Sequence, residues 1–149
     1  MRPAGEAALA VANGGRDLLL LYGDPGLGKT HLAWAAVRHS RERGFPAILW
    51  GVPEFLAFLR SSYDGEATES VDSKVRTYSS PDFLLVLDDL GVHNATAWTE
   101  EQLYRILNRR YENEAPTIIT ANVGIEKIDP RIQDRFLSGV VFCEGKSQR

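Results

Sequence analysis

Apolar residues gather in short unbroken runs along this chain, and polar residues separate them. The runs are Leu18-Leu19-Leu20-Leu21-Tyr22, Ala47-Ile48-Leu49-Trp50, Phe83-Leu84-Leu85-Val86-Leu87, Thr117-Ile118-Ile119-Thr120 and Val140-Val141-Phe142. Runs of this length read as strands, and the continuous ones as strands buried on both faces. Segments with helical spacing lie between them. One is expected from Lys29 to about Arg43, with Arg41 and Arg43 suited to its negative end, Gly44 at its C′ position and Pro46 blocking continuation. A second starts near Pro53 and carries Phe55, Leu56, Phe58 and Leu59 on one face. A third follows Thr99 and Gln102, a pair that resembles a capping box, and buries Leu103, Ile106 and Leu107. Asp129 and Pro130 suit the N-cap and first position of a short helix through Phe136. Met1 to Ala12 reads as a short helix stopped by Asn13, Gly14 and Gly15. Asp64-Gly65 marks a turn, and 66–79 is polar and weakly periodic, with a helix as one reading. Strands alternating with helices predict an α/β fold built on a parallel sheet.

The length of 149 residues suits one domain, taken here as 1–149, with room for a core. Hydrophobic residues at 44% and charged residues at 25% are ordinary globular values and argue against disorder. A net charge of −3 excludes a broadly basic domain, so any grip on nucleic acid is local. Cys143 is the only cysteine, which excludes an internal disulfide and a multi-cysteine zinc site and points to a reducing, cytoplasmic setting. The longest apolar stretches, such as Leu32 to Val37, fall far short of the roughly 18 residues of a membrane span, so no membrane association is expected.

The chemistry begins at Gly23-Asp24-Pro25-Gly26-Leu27-Gly28-Lys29-Thr30, which fits G-x-x-x-x-G-K-[ST] between a strand and a helix. Glycines let such a loop turn its N–H groups around a phosphate, and the helix N-terminus adds positive charge. Lys29 would neutralise the β- and γ-phosphates, Thr30 would ligate Mg²⁺, and the backbone N–H of His31 would face the α-phosphate. The strand Leu84-Leu85-Val86-Leu87 ends in Asp88-Asp89. Alone, that ending is more often a solvated turn. Beside the glycine loop, Asp88 reads as a Mg²⁺ holder and Asp89 as the group that orients or deprotonates a water. Asn122, after the fourth strand, could reach a γ-phosphate or simply stabilise a turn. Arg131 and Arg135, at i and i+4, project from one helix face, as a surface pair or as a γ-phosphate contact on a neighbouring subunit.

These motifs in this order resemble AAA+ ATPases, and more narrowly the DnaC/DnaI-type helicase loaders and IstB-type transposition helpers. The resemblance rests on Tyr22 to Ala33, Leu85-Val86-Leu87-Asp88-Asp89-Leu90-Gly91, Trp98, Arg110-Tyr111, Pro116 to Asn122, and Arg131-Ile132-Gln133-Asp134-Arg135-Phe136. It implies a three-layer αβα fold with a five-stranded parallel sheet of order 5-1-4-3-2. The few residues after the fifth run leave no room for a C-terminal helical lid, which loaders of this kind commonly lack, and the short stretch before the first run departs from the N-terminal partner-binding domain usual in loaders, so neither is expected in 1–149. It implies Asn122 as the sensor residue and Arg135 as an arginine finger acting in trans within a homo-oligomer. It implies ATP and Mg²⁺ as cofactors, slow hydrolysis stimulated by assembly or DNA, and as partners a replicative hexameric helicase, or a transposase, together with single-stranded DNA held weakly per subunit. Many AAA+ proteins carry Glu at the position of Asp89, and the shorter side chain suggests slow turnover or a nucleotide-gated switch with little hydrolysis. A small-molecule kinase using the same loop is disfavoured by the Asp-Asp pair.

The remaining polar and aromatic residues have plainer readings. Trp34, Trp50 and Trp98 read as core or interface anchors, Cys143 as a small buried residue, and His39 and His93 lack partners at metal-ligand spacing. Arg105, Arg109 and Arg110 suggest a small basic face on one helix, solvated or facing a subunit or DNA.

Overall fold

Consecutive side chains along a strand point to opposite faces, so an unbroken apolar run needs a cover on each side. The structure, a computed structural model, describes residues 2–14, 18–23, 28–63, 70–91, 96–136 and 139–143. Its strands are β1 (Leu18–Gly23), β2 (Ala47–Gly51), β3 (Leu84–Leu90), β4 (Thr117–Ala121) and β5 (Val140–Cys143). Its helices are α1 (Arg2–Ala12), α2 (Lys29–Glu42), α3 (Val52–Arg60), α4 (Val71–Tyr78), α5 (Ala97–Glu112) and α6 (Pro130–Arg135). All strand pairs are parallel. The body of the sheet runs β2-β3-β4-β1, and β5, four residues long, lies along the free edge of β1.

The two faces sort by residue parity. Leu19, Leu21, Leu84, Val86 and Ile118 pack under α1 and α2 against Ala4, Ala8, Val11, Ala33, Ala36 and Val37. Leu18, Leu20, Leu85, Leu87 and Ile119 pack under the other helices against Phe55, Leu59, Val75, Leu103, Ile106, Leu107, Ile132 and Phe136. The small alanines of α1 and α2 let these helices sit close to one face, while aromatic and aliphatic bulk fills the other.

The helix ends follow mostly from their caps. Gly44 (φ +83°) sits just beyond the C-terminus of α2, and Ser70 caps α4 by accepting from the Ser73 N–H. Asp129 caps α6 by accepting from the Arg131 N–H, with Pro130 in the first turn. The capping box of α5 is displaced from Thr99–Gln102. Thr96 is the cap, its N–H donating to Thr99 Oγ1 at 2.8 Å and its Oγ1 accepting from the Thr99 N–H at 3.1 Å. A threonine hydroxyl closes the reciprocal pair in place of the Glu or Gln usual at that position, so the helix starts three residues earlier than the Thr99–Gln102 pair predicts. In 66–79, α4 accounts for Val71–Tyr78, while the Asp64-Gly65 turn lies outside the described residues.

Arg110 overturns the expected basic face on α5. It is fully buried, and burial pulls its guanidinium down to about 9, still charged at neutral pH. Its Nε donates to Thr117 Oγ1, Nη1 to the carbonyls of Tyr78 and Ser80, and Nη2 to those of Phe83 and Pro116, all at 2.8–2.9 Å. Thus all five donors of the fork are engaged, and one side chain ties α5 to the end of α4 and to the approaches of β3 and β4. Arg105 pairs with Asp72 across to α4 at 2.9 Å, which leaves no joint basic stripe.

Replacing Arg110 by Leu leaves those buried carbonyls without donors and is expected to destabilise the fold by about 3 kcal/mol or more. Arg110→Lys, with a compact ammonium in place of the fork, is expected to fall between. Urea unfolding measures both, and a loss under about 1 kcal/mol for Arg110→Leu contradicts the keystone role.

Candidate functional site

The C-terminal ends of β1, β3 and β4 meet at one edge of the sheet, where open α/β sheets bind ligands. β1 ends at Gly23, whose φ is +142°. A side chain cannot be added there, because a Cβ would run into the carbonyl oxygen of Cys143 on β5. The sequence pattern explains this glycine by the loop; its contact with β5 adds a packing reason. Cys143 is itself buried, and burial pushes its thiol up, which suits an inert packing residue. Asp24, Pro25, Gly26 and Leu27 lie outside the described residues.

Gly28 (φ +82°) occupies the N-cap of α2 in the left-handed region, which glycine adopts without penalty. Lys29 follows, and its chain folds back over the loop's entrance so that Nζ donates to the Gly23 carbonyl at 3.1 Å. This residue is only 4% exposed, a lysine held at a helix N-terminus. Thr30 Oγ1 donates to both oxygens of Asp88, at 3.2 and 3.1 Å. His31 is exposed in the same first turn. A hydroxyl and a carboxylate this close form a hard oxygen donor set of the kind that suits Mg²⁺.

Asp88 and Asp89 sit at an irregularity of β3. Leu87 pairs with Ile119 and Leu90 with Ala121, so three steps on β3 match two on β4. This is a β-bulge, and it places the two acids opposite Thr120. Asp89 adopts φ +68°, a left-handed conformation uncommon for a non-glycine residue. Its carboxylate accepts from Asn122 Nδ2 at 2.7 Å, and its N–H donates to Thr120 Oγ1 at 2.9 Å. Thr120 Oγ1 in turn donates to Asp88 Oδ1 at 2.5 Å. Thr30, Asp88, Asp89 and Asn122 are therefore joined by hydrogen bonds at this edge, with Lys29 beside them on the Gly23 carbonyl. Thr120, not singled out in the sequence, joins both acids. The only signal for it was a hydroxyl near the C-terminal end of the strand that leads to Asn122.

Arg131 and Arg135 do share a face of α6, turned toward α5. The Arg131 guanidinium lies 4.2 Å from the Tyr104 ring centroid and binds Glu101 and Asp129 at 2.8 and 3.0 Å. Partial burial pushes the Asp129 carboxyl up, but the hydrogen bonds and charge of Arg131 outweigh it and hold the group below its ordinary value. Arg135 Nε donates to Asn108 Oδ1 at 2.7 Å and Nη2 to Tyr104 Oη at 3.2 Å, with the Tyr111 ring centroid 5.4 Å away. Both arginines are organised by α5.

The tryptophans separate. Trp50 stacks on Phe58, centroids 5.1 Å apart, and Trp98 packs against the larger core. Trp34 is 47% exposed on α2, so a core role is excluded for it. His39 meets Asn13 Oδ1 at 2.8 Å, His93 lies outside the described residues, and no cluster of metal-binding side chains occurs among the described residues.

The family model described as IstB-like ATP binding protein matches residues 7–142. The chain belongs to the IstB-like ATP-binding family. It is 29% identical over 111 residues to the replicative helicase loader DnaI of Bacillus subtilis, covering 74% of this chain and 34% of DnaI. An insertion-sequence ATP-binding protein of Mycobacterium tuberculosis is 32% identical over 116 residues, covering 78% of this chain and 44% of the relative. The chain thus spans less than half the length of either. A solved structure of the replication initiator DnaA bound to AMPPCP and single-stranded DNA superposes with a TM-score of 0.79 at 27% identity, covering 97% of this chain and 46% of that one. The IstB-like assignment agrees with an α/β parallel-sheet, P-loop-like fold. No helix among the described residues is long and apolar enough to cross a membrane.

Lys29→Ala is expected to abolish nucleotide binding, because no other described cation is held at the N-terminus of α2. Calorimetry with ATP checks this, and an unchanged affinity refutes the phosphate-loop assignment.

Proposed function

We propose that this chain is an ATP·Mg²⁺-binding ATPase module that slowly hydrolyses the β–γ bond and couples its nucleotide state to a protein partner on single-stranded DNA. The observation that carries the reading is the cluster of Lys29, Thr30, Asp88, Asp89 and Asn122 across three strand ends. The N–H groups of Gly28, Lys29, Thr30 and His31 at the start of α2 face the phosphates, and Lys29 neutralises charge on the β- and γ-oxygens. Thr30 and Asp88 would hold Mg²⁺, which would supply charge neutralisation to the phosphates. Asp89 orients the attacking water and accepts its proton. Asn122 keeps the Asp89 carboxylate aimed and can exchange that bond for one to the water or the γ-phosphate. Arg135, supplied by a neighbouring copy, stabilises charge on the transferring group.

The partner is a replicative hexameric helicase in the preferred reading, supported by similarity to DnaI and to DnaA, whose solved structure contains single-stranded DNA. The second reading, an ATPase helper of a transposase, is favoured by the family model and by the insertion-sequence relative. Co-purification from the native cell separates them by whether a helicase or a transposase is retained. With a net charge of −3, the DNA grip is weak per protomer and strengthened by assembly.

Asp89→Asn is expected to keep ATP affinity while hydrolysis falls on the order of 10²–10⁴-fold. ADP release measured with and without single-stranded DNA checks this. If the unsubstituted protein releases no ADP under either condition, the chain is a nucleotide-gated switch instead. Arg135→Ala is expected to spare ATP binding and to remove the cooperative rise of turnover with protein concentration. A strictly linear rise in the unsubstituted protein contradicts the trans role.

A further inference from the structure

We propose that Thr120 is a positioning residue for both acids, setting the metal-holding geometry of Asp88 and the water-orienting geometry of Asp89 through a single hydroxyl. The inference rests on the ATPase reading above. Thr120 is 2% exposed, so its hydroxyl has no water to turn to. Its proton goes to Asp88 Oδ1 at 2.5 Å, and its lone pair takes the Asp89 N–H at 2.9 Å. Both bonds cross the bulge, where two residues of β3 oppose this one residue of β4.

The bulge makes the hydroxyl matter. In a regular strand Asp88 and Asp89 would point to opposite faces, and each N–H would find a carbonyl in the ladder. Here Asp89 takes φ +68°, a conformation costing on the order of 1–3 kcal/mol unless its surroundings hold it. Two side chains hold it: Thr120 at its N–H and Asn122 at its carboxylate. Only Thr120 also touches Asp88. Asp88 accepts from Thr30 on one side and from Thr120 on the other, so Thr120 fixes the carboxylate's orientation when Thr30 turns toward the metal. Groups that orient a metal-holding carboxylate typically change affinity or activity by about 10–100-fold when removed.

The test uses Thr120→Val, which keeps the β-branched shape, and Thr120→Ser, which keeps the hydroxyl. Binding of a fluorescent ATP analogue is titrated with Mg²⁺, and kcat and KM for ATP are measured in parallel. For Thr120→Val the expected result is nucleotide affinity without Mg²⁺ within about threefold of normal, a half-saturating Mg²⁺ raised about tenfold, and kcat lowered about 10–100-fold with KM little changed. Thr120→Ser is expected to restore Mg²⁺ dependence and kcat to within about threefold. Should the valine variant fail to fold by thermal melting, Thr120→Ala reads the same two quantities. Unchanged Mg²⁺ dependence and kcat in Thr120→Val or Thr120→Ala overturn the proposal while leaving the ATPase reading intact. Equal losses in the serine and valine variants overturn it too, since packing and not the hydroxyl would then be responsible. Absence of Mg²⁺-dependent ATP binding in the unsubstituted protein sinks both.

Discussion

Leu84 to Leu87 have helices against both of their faces, and so do the neighbouring strands. A sheet enclosed in this way can host polar chemistry only where its strands end, because an unpaired acid along their length would cost several kcal/mol. The acids of this chain obey that constraint. Asp88 is half-buried and Asp89 exposed, directly after four fully buried residues. Parallel strands all end on the same side, so β1, β3 and β4 deliver Gly23, the acids and Asn122 to one edge without any long connection. The order β3-β4-β1 sets Thr120 and Asn122 between the acids and Gly23, which is why β4 can touch Asp88 and Asp89 while Thr30 also reaches Asp88.

Ending a strand in two consecutive acids raises a geometric conflict, since alternation would send them to opposite faces. The bulge resolves it, with Asp89 in a left-handed conformation held by Thr120 and Asn122. The aspartate in place of glutamate fits this geometry. A shorter side chain has less reach, but in the left-handed conformation its carboxylate meets the Asn122 amide at 2.7 Å. Short aspartate side chains also tolerate that conformation better than long ones.

Much of this was legible in the residue pattern. The five apolar runs, the glycine loop, the Asp-Asp ending and the short helix opened by Asp129-Pro130 all depend on local sequence, and the structure contains each where its residues are described. What escaped were features decided by tertiary contact. Arg110 reads as one more basic residue on a polar helix, because nothing local shows that five acceptors converge on it from α4, β3 and β4. Thr120 reads as a β-former, because a register slip between strands distant in sequence is what turns its hydroxyl into a bridge. The cap of α5 was misplaced by three residues because two threonines close it with hydroxyls alone.

The same helix links the two halves of the proposed chemistry. α5 is anchored through Arg110 to the approaches of β3 and β4, the strands that carry Asp88, Asp89 and Thr120. On the same helix, Tyr104 and Asn108 hold Arg131 and Arg135, and Tyr111 lies beside Arg135. A rigid helix of 16 residues thus fixes the arginines relative to the sheet that bears the acids. In a side-by-side assembly of identical copies, an arginine offered to a neighbour must be placed by its own subunit's fold, because only then does every interface repeat with the same geometry. A guanidinium stacked on tyrosine rings and bonded to an asparagine loses less freedom on meeting a phosphate than one on a free side chain. In the proposed assembly, the α5 platform would be the element through which the stability of one subunit bears on the nucleotide site of the next.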